Sequence, residues 1–203
     1  MSNLYITIGR EFGSGGREIG KKVAKALNIP YYDKELMAVA AQESGLSPQF
    51  LQSYDEKPTN SFLYSLVMGH QGMITGHQTT SVDQMAANAQ RDAILSVADK
   101  GSCVIVGRCA DYILRDRPGL VRIFITADLD ARIARVSKRD GLDPKAAEEK
   151  IRRMDKTRAS YYSFHTDRKW GAAECFDMCL SSSFLGVDKA AELILKLCEG
   201  MEK

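Results

Sequence analysis

The fold is decided by the stretch Leu4-Tyr5-Ile6-Thr7-Ile8-Gly9-Arg10-Glu11-Phe12-Gly13-Ser14-Gly15-Gly16-Arg17-Glu18-Ile19-Gly20. It opens with an apolar, β-branched run that predicts a buried strand, and it continues through a glycine-dense loop directly into an amphipathic helix that ends near Leu27. A strand, loop and helix in this order allow backbone N–H groups to surround a phosphate. The alternative is that the glycines only form a flexible turn.

The loop residues Gly13, Ser14, Gly15 and Gly16 are therefore predicted to bind the phosphates of a nucleotide. Each glycine removes a Cβ that would block a positive φ or hold the chain away from an anion. The helix that follows adds the partial positive charge of its N-terminus.

The loop departs from a standard P-loop, G-x-x-x-x-G-K-[ST], in which a lysine reaches the β- and γ-phosphates and a hydroxyl holds magnesium. Alignment on the strand and the glycines puts Gly16 at the lysine position and Glu18 near the hydroxyl position. The nearest cation is Arg17, which is the candidate replacement for the lysine. Glu18 is the candidate magnesium ligand, acting through water.

Composition limits the classes of protein that need to be considered. A chain of 203 residues with 44% hydrophobic content supports one core and a small lid, and a net charge of +2 gives no reason to expect a nucleic-acid or membrane partner. Five cysteines without C-x-x-C spacing predict reduced thiols in a cytoplasmic protein. Cys175 and Cys179 would share one face of the last strand as core residues, which is favoured over a metal site.

Further along the chain, strands and helices alternate. Strands are predicted at 29–33, 103–106, 121–127 and 176–181, and helices at 34–42, 49–54, 82–100, 128–139, from 143 onward and at 187–199. This alternation predicts one α/β domain over residues 1–203, in which helices cover both faces of a five-stranded parallel sheet. A helical insertion that binds the acceptor is expected at about 34–81, and a lid at about 145–170.

Two polar residues lie at predicted strand ends, where ligands bind in open α/β sheets. Arg108 follows the strand 103–106, and Asp33 follows the strand 29–33. Asp33 has an equally supported interpretation as the N-cap of the next helix. Between them, the segment 69–80 repeats Gly-His-Gln and is interpreted as a loop that closes over substrate, or as a spacer, in preference to a metal or acid–base site.

A basic helix precedes the last strand and carries Arg152, Arg153, Lys156 and Arg158. Most of these charges are explained by a solvated helix face. The alternative is a lid whose arginines neutralise the charge that develops on a transferring phosphoryl group. We expect at least one catalytic arginine here, because such a residue would offset the lysine missing from the loop.

These features together resemble the cytidylate kinase-like family, whose members are relatives of the nucleoside monophosphate kinases within the P-loop kinase fold. The resemblance rests on Ile6-Thr7-Ile8, Gly13-Ser14-Gly15-Gly16, Tyr31-Tyr32-Asp33, Gly107-Arg108, Arg122-Ile123-Phe124-Ile125-Thr126-Ala127 and Asp155-Lys156-Thr157-Arg158. It implies a three-layer αβα fold with a helical lid. It also implies transfer of the ATP γ-phosphate to a nucleoside monophosphate such as CMP or dCMP, with Mg²⁺.

The resemblance also implies roles for single residues. Asp33, Arg108 and Asp155 would bind the acceptor, and Asp155 and Arg158 would form the lid pair that spans the acceptor and donor phosphates. Together with Arg17, the lid residues Arg153 and Arg158 are the candidate catalytic residues. The chain departs from true cytidylate kinases in the turn after Asp33 and in the neighbours of Arg108.

These departures leave two further functions open. The first is a nucleotide-binding regulatory protein without turnover, and the second is a kinase of a non-nucleotide small molecule. The sequence predicts neither the acceptor nor the oligomeric state.

Overall fold

In the computed structural model of this protein, residues 3–56 and 82–200 are described, and they form a parallel sheet flanked by helices. The strands are β1 (Tyr5–Arg10), β2 (Tyr31–Tyr32), β3 (Cys103–Val106), β4 (Leu120–Thr126) and β5 (Met178–Ser181). The helices are α1 (Gly16–Leu27), α2 (Glu35–Ser44), α3 (Pro48–Tyr54), α4 (Val82–Asp99), α5 (Ala110–Ile113), α6 (Leu129–Asp140), α7 (Pro144–Thr166) and α8 (Ser182–Glu199).

The sheet has five strands in the order β2-β3-β1-β4-β5, and every pair is parallel, as predicted. The central strand β1 pairs on both sides, so that Ile6 lies opposite Val104 of β3 and Val121 of β4. Ile6 packs with α1 and α8, whereas Tyr5 packs with α2 and α4 on the other face. A strand covered on both faces explains the nearly continuous apolar run in β1.

Because the strands are parallel, their carboxyl ends meet at one edge of the sheet, and the functional loops begin there. β1 leads into the glycine loop, which we define as residues 9–16. β3 leads into Gly107, Arg108 and Cys109, which have consecutive left-handed φ values of 79°, 56° and 55°. Left-handed conformations in non-glycine residues cost about 1 kcal/mol or more each, and they persist where surrounding contacts hold them.

The predicted lid region contains one long helix, α7. The Asp143 carboxylate accepts hydrogen bonds from the backbone N–H groups of Lys145 and Ala146, so the helix starts where the Asp-Pro pair predicted it. Its first half packs on α6 through an apolar cluster that contains Val136 and Ile151. Its second half packs on Cys109, in the turn after β3, through Tyr161 and Tyr162. The helix therefore extends from α6 to the carboxyl end of β3.

Two predictions about the C-terminal region are wrong. The last strand begins at Met178, and Cys175 lies in a short 3₁₀ helix, so Cys175 and Cys179 do not share a strand face. The Asp177 carboxylate accepts 2.8 Å and 2.6 Å hydrogen bonds from the backbone N and Nη2 of Arg122, which fixes the chain just before the strand starts. The last helix begins at Ser182, with a break at Gly186 (φ 76°, ψ 166°), so the predicted start at 187 marks only its regular part.

Some predictions fall on residues that are not described. The Gly-His-Gln segment at 69–80 and the part of the expected acceptor-binding insertion from 57 to 81 lie outside the described residues. Among the helices at 3–56 and 82–200, none combines the length and apolarity that a membrane span requires.

Candidate active site

The glycine loop has the conformation of a phosphate-binding turn. Gly13 has φ 83° and Gly15 has φ 82°, and Gly15 is the N-cap of α1. At the position where a P-loop carries lysine, a Cβ on Gly16 would lie 2.7 Å from the Cβ of Arg10. A lysine at this position would therefore collide with the Arg10 side chain, which comes from the end of β1.

The loop is held from below by serine and arginine contacts. The Ser14 hydroxyl donates to the Glu11 carbonyl oxygen at 2.9 Å, and the Ser14 carbonyl accepts from the Ser182 hydroxyl at 2.5 Å. Arg135 of α6 donates from Nη1 to the Gly13 carbonyl at 2.5 Å. Since these contacts involve carbonyl oxygens, they do not occupy the N–H groups of Gly13, Gly15 and Gly16, which can face an anion.

A second set of hydrogen bonds connects the glycine loop to α7. The Phe12 backbone N–H donates to Oδ1 of Asp155 at 2.7 Å, and Nε of Arg132 donates to the Phe12 carbonyl at 2.8 Å. Arg132 also pairs with Asp155 through Nη2. In the described residues, Asp155 therefore holds the glycine loop, and its role with the acceptor stays a prediction.

Asp33 is the centre of an arginine cluster. Its carboxylate lies 2.7 Å from Nε of Arg17, 3.4 Å from Nη1 of Arg108 and 3.9 Å from Nη2 of Arg10. The N-cap of α2 is Lys34, which makes no side-chain capping bond. The N-cap interpretation of Asp33 is therefore wrong, because its carboxylate is turned toward the arginines.

Arg108 is buried in this cluster, with no exposed side-chain area. Nε and Nη2 donate to the two carboxylate oxygens of Asp55 at 2.8 Å each, and Nη1 donates to the Val106 carbonyl at 3.0 Å. Burial alone would lower the pKa of Arg108, but Asp55 and Glu56 outweigh burial and raise it. Arg108 is therefore a permanent cation in a bidentate pair.

Glu56 lies between two arginines. Its Oε1 accepts from Nη1 of Arg10 at 2.5 Å, and its Oε2 accepts from Nε of Arg158 at 3.1 Å. Burial raises the pKa of Glu56, yet Arg10 and Arg158 outweigh burial and lower it below its ordinary value. Arg158 also donates from Nη1 to the Arg10 carbonyl at 3.2 Å, and burial with the nearby charge of Arg10 lowers its pKa to about 10.

A cleft of about 900 Å³ opens above the loop. Gly13, Gly15, Gly16, Arg17, Glu18 and Arg158 all line it, so most of the predicted donor-site residues are together. Ser14 is fully buried and is not among the loop residues that line the cleft. Arg153 is on the exposed face of α7, outside the residues that line the cleft, and its catalytic role stays a prediction.

The sequence profile of the cytidylate kinase-like family matches residues 5–184. The chain belongs to this family. The match includes the glycine loop, the strand end at Arg108 and the lid helix, which are the elements that form the site described above. No curated protein sequence matches the chain significantly.

Solved structures agree with this assignment. This family member is 34% identical to a protein from Eubacterium ventriosum described as uncharacterized, with a TM-score of 0.72 over 97% of this chain and 98% of that one. It is 14% identical to shikimate kinase from Bacteroides thetaiotaomicron (TM-score 0.55, 98% and 99% of the two chains). It is 13% identical to shikimate kinase from Acinetobacter baumannii in complex with shikimate (TM-score 0.51, 100% and 96%). The fold is that of the P-loop kinases.

Five site residues of this cytidylate kinase-like chain are missing from the sequence predictions: Arg10, Asp55, Glu56, Arg132 and Arg135. Of these five, only Arg10 could have been proposed from the sequence. It is a cation at the end of the first strand, and the P-loop lysine is missing six residues later. Asp55 and Glu56 follow α3 without any pattern that marks them as site residues.

The cleft of this family member carries donor groups that suit a partial magnesium site. In the ranges 3–56 and 82–200, no group of three or more His, Cys, Asp or Glu residues is arranged to hold a metal ion. Mg²⁺ is commonly held by one or two carboxylates together with phosphate oxygens and water. Glu18, which is exposed on the cleft, fits such a partial site.

The Gly107→Ala substitution should destabilise the protein by about 2 kcal/mol or more, because the residue has a left-handed φ of 79°. A Cβ there would also meet Nη1 of Arg10 and Oε1 of Glu56. Urea denaturation measures the loss. The matched control is Gly141→Ala, at φ 67° with nothing within 4 Å, which should lose only the conformational part. Equal losses would show that the Arg10–Glu56 pair does not pack on Gly107.

Proposed function

We propose that this protein is an ATP-dependent phosphotransferase that uses Mg²⁺ and acts on a small-molecule acceptor, with a nucleoside monophosphate such as CMP or dCMP as the first candidate. The observation that carries the proposal is the cleft of about 900 Å³ above the glycine loop, whose rim is cationic. Eight cations line it, against five acids. The cations are Arg10, Arg17, Lys34, Arg135, Lys138, Arg139, Lys150 and Arg158, and the acids are Glu11, Glu18, Asp55, Glu56 and Asp140. A cleft of this size suits a nucleotide.

The proposed mechanism depends mainly on positioning and electrostatics, because phosphoryl transfer asks for little covalent chemistry from the protein. The N–H groups of Gly15 and Gly16 at the start of α1 face the donor phosphates, and Arg17 lies at the rim beside them. Arg158 lines the same cleft from α7, and we propose that it stabilises the charge that develops during transfer. Mg²⁺, when bound, would neutralise the phosphates, with Glu18 as the candidate ligand.

On the acceptor side, Asp33 and Arg108 are proposed to orient the acceptor from behind the cleft. They are joined directly by a 3.4 Å ion pair. We place the protein in the cytoplasm, since all five cysteines are free thiols. We propose no nucleic-acid or membrane partner.

A second candidate is a kinase of a hydroxylated, non-nucleotide acceptor. The observation that favours it is that Arg108 is already paired with Asp55 by two 2.8 Å hydrogen bonds, so a phosphate on the acceptor must compete with a carboxylate. Each carboxylate oxygen can accept more than one hydrogen bond, so Asp55 could accept from a hydroxyl group while it stays paired with Arg108. The pairing of Arg108 with Asp55, which neutralises the arginine, also supports the third candidate, a nucleotide-binding regulatory protein without turnover.

One experiment separates the three candidates. ATP binding is measured by calorimetry, and ADP release is then followed in a coupled assay over a panel of nucleoside monophosphates and of hydroxylated carboxylic acids. Product formation with CMP or dCMP supports the first candidate, and formation only with a hydroxy acid supports the second. Binding without transfer to any acceptor supports the third, and no ATP binding at all contradicts the proposed function.

A further inference from the structure

Arg10 is a deeply buried cation at the point where the glycine loop and the lid helix meet. It is only 4% exposed, and it lines both the large cleft and a small cavity between β1, β3 and α7. Residues of this type are rarely buried without a full set of partners. Its surroundings therefore need an explanation beyond packing.

Its hydrogen bonding is incomplete among the described residues. Nη1 donates to Glu56 at 2.5 Å, but Nε and Nη2 have no hydrogen-bond partner within residues 3–56 and 82–200. The next acid, Asp33, lies 3.9 Å from Nη2, beyond hydrogen-bond distance. Leaving a buried charged donor unsatisfied is costly, and this points to a bound acceptor group.

The charges around Arg10 do not balance either. In the described part of the cluster, four guanidinium groups face three carboxylates, which leaves one positive charge: Arg10, Arg17, Arg108 and Arg158 against Asp33, Asp55 and Glu56. The small cavity beside Arg10 has a volume of about 20 Å³, which is room for one water molecule. A water molecule would satisfy a donor but would not balance the charge, whereas an oxyanion from the cleft would do both.

Gly16 gives the position of this oxyanion. A Cβ at Gly16 would lie 2.7 Å from the Cβ and 3.2 Å from the Cγ of Arg10, so the arginine stem occupies the place of a side chain at the lysine position. In a standard P-loop, that lysine reaches the β- and γ-phosphates. A guanidinium whose stem starts in the same place is suited to the same phosphates, with a planar fork in place of an ammonium.

We propose that Arg10 forms an oxyanion site for the terminal phosphate of the bound nucleotide, and that Arg10 and Gly16 together replace the missing P-loop lysine. The inference rests on the proposed function, because it assumes that a nucleoside triphosphate occupies the cleft. It adds to that function a residue that discriminates triphosphate from diphosphate. Glu56 holds one edge of the guanidinium, and Nε and Nη2 remain for the phosphate.

The test measures the affinities for ADP and for the β,γ-imido analogue of ATP, both with Mg²⁺, by calorimetry on the full chain. We expect the wild-type protein to prefer the triphosphate analogue. Arg10→Ala should reduce this preference by about tenfold or more, as for loss of a charged hydrogen bond, and should change ADP affinity about threefold or less. Arg152→Ala, an exposed arginine of α7, is the control that should leave the preference unchanged.

Exchange of the cation between the two positions makes the test sharper. Gly16→Lys alone should weaken binding of both nucleotides, because its Cβ meets Arg10. Arg10→Gly/Gly16→Lys removes that collision, because glycine at position 10 lacks the Cβ that would lie 2.7 Å away, and it restores a lysine, so the preference for the triphosphate should return. Arg10→Lys keeps a positive charge opposite Glu56 and replaces Arg10→Ala in the test if Arg10→Ala does not fold. It should still bind ADP but should lose most of the preference for the triphosphate analogue.

The outcomes distinguish the inference from the function on which it depends. A wild-type protein that binds neither nucleotide contradicts the proposed function itself. If the wild-type protein binds both and the folded Arg10 variants keep its preference, the proposed function stands and the oxyanion site is wrong. Failure of the double variant to regain any preference that Arg10→Ala had lost would show that Arg10 does not act from the lysine position.

Discussion

Arg158→Ala is expected to lower kcat by about a thousandfold, while ATP affinity changes only a few-fold. Arg158 is 6% exposed, lines the cleft, and is fixed by Glu56 and by the Arg10 carbonyl, so its guanidinium is oriented before substrate binds. A group with this orientation stabilises charge that is present mainly in the transition state. Steady-state kinetics with the best acceptor of the panel give kcat, and calorimetry gives ATP affinity.

The control for this substitution is Arg152→Ala. Arg152 belongs to the same helix, but its side chain is 67% exposed and pairs only with Glu148 among the described residues. Its loss should leave kcat within about a factor of two, as expected for a surface ion pair. If Arg158→Ala weakened ATP binding as much as it lowered kcat, Arg158 would be a binding group without a specific role in the transition state.

The glycine loop and the sheet were predictable because their signals are local. The apolar run in β1, the glycines and the start of α1 lie within about 20 residues, and each needs only backbone geometry to be interpreted. The prediction of five parallel strands is confirmed. It was possible because each strand has a local apolar pattern. The last strand was misplaced because Asp177, which looks like part of an extended run, instead binds Arg122 from a neighbouring strand.

The arginine cluster was only partly predictable, because it depends on contacts between distant residues. Glu56 meets Arg10 across 46 positions and Arg158 across 102 positions, and no periodicity encodes such a contact. Asp155 illustrates the same limit. The resemblance implied a pair that spans the substrates, which stays a prediction, whereas no local pattern indicated that its carboxylate accepts from the Phe12 amide.

The absence of a lysine from the loop is now explained by packing. The sequence alone suggested Arg17 as the substitute, since it is the nearest cation. In the structure, Arg17 is 40% exposed and bound to Asp33, whereas the Arg10 stem lies against Gly16. The role of Arg17 stays a prediction, and the contact that points to Arg10 is visible only once the strand and the helix are packed together.

Glu56→Gln should lower the free energy of unfolding by about 3–5 kcal/mol at neutral pH, because it removes one partner of a buried ion pair and leaves Arg10 and Arg158 facing each other. The matched control is Glu148→Gln, which removes an exposed i,i+4 pair and should cost about 0.5 kcal/mol or less. Chemical denaturation of the three proteins between pH 3 and pH 8 provides the measurement.

The pH dependence identifies the cause of that loss. The pKa of Glu56 is lower in the folded protein than its ordinary value of 4.5, so the unfolded chain takes up a proton first as the solution is acidified. The stability contributed by its charge is complete above about pH 5 and decreases as the pH falls below 4.5 toward the folded pKa. The difference between wild type and Glu56→Gln should therefore be constant from pH 6 to pH 8 and become smaller in acid. A difference that did not change down to pH 3 would mean that the pKa of Glu56 is the same in the folded and the unfolded protein. Glu56 would then contribute through its shape and hydrogen bonding and not through its charge.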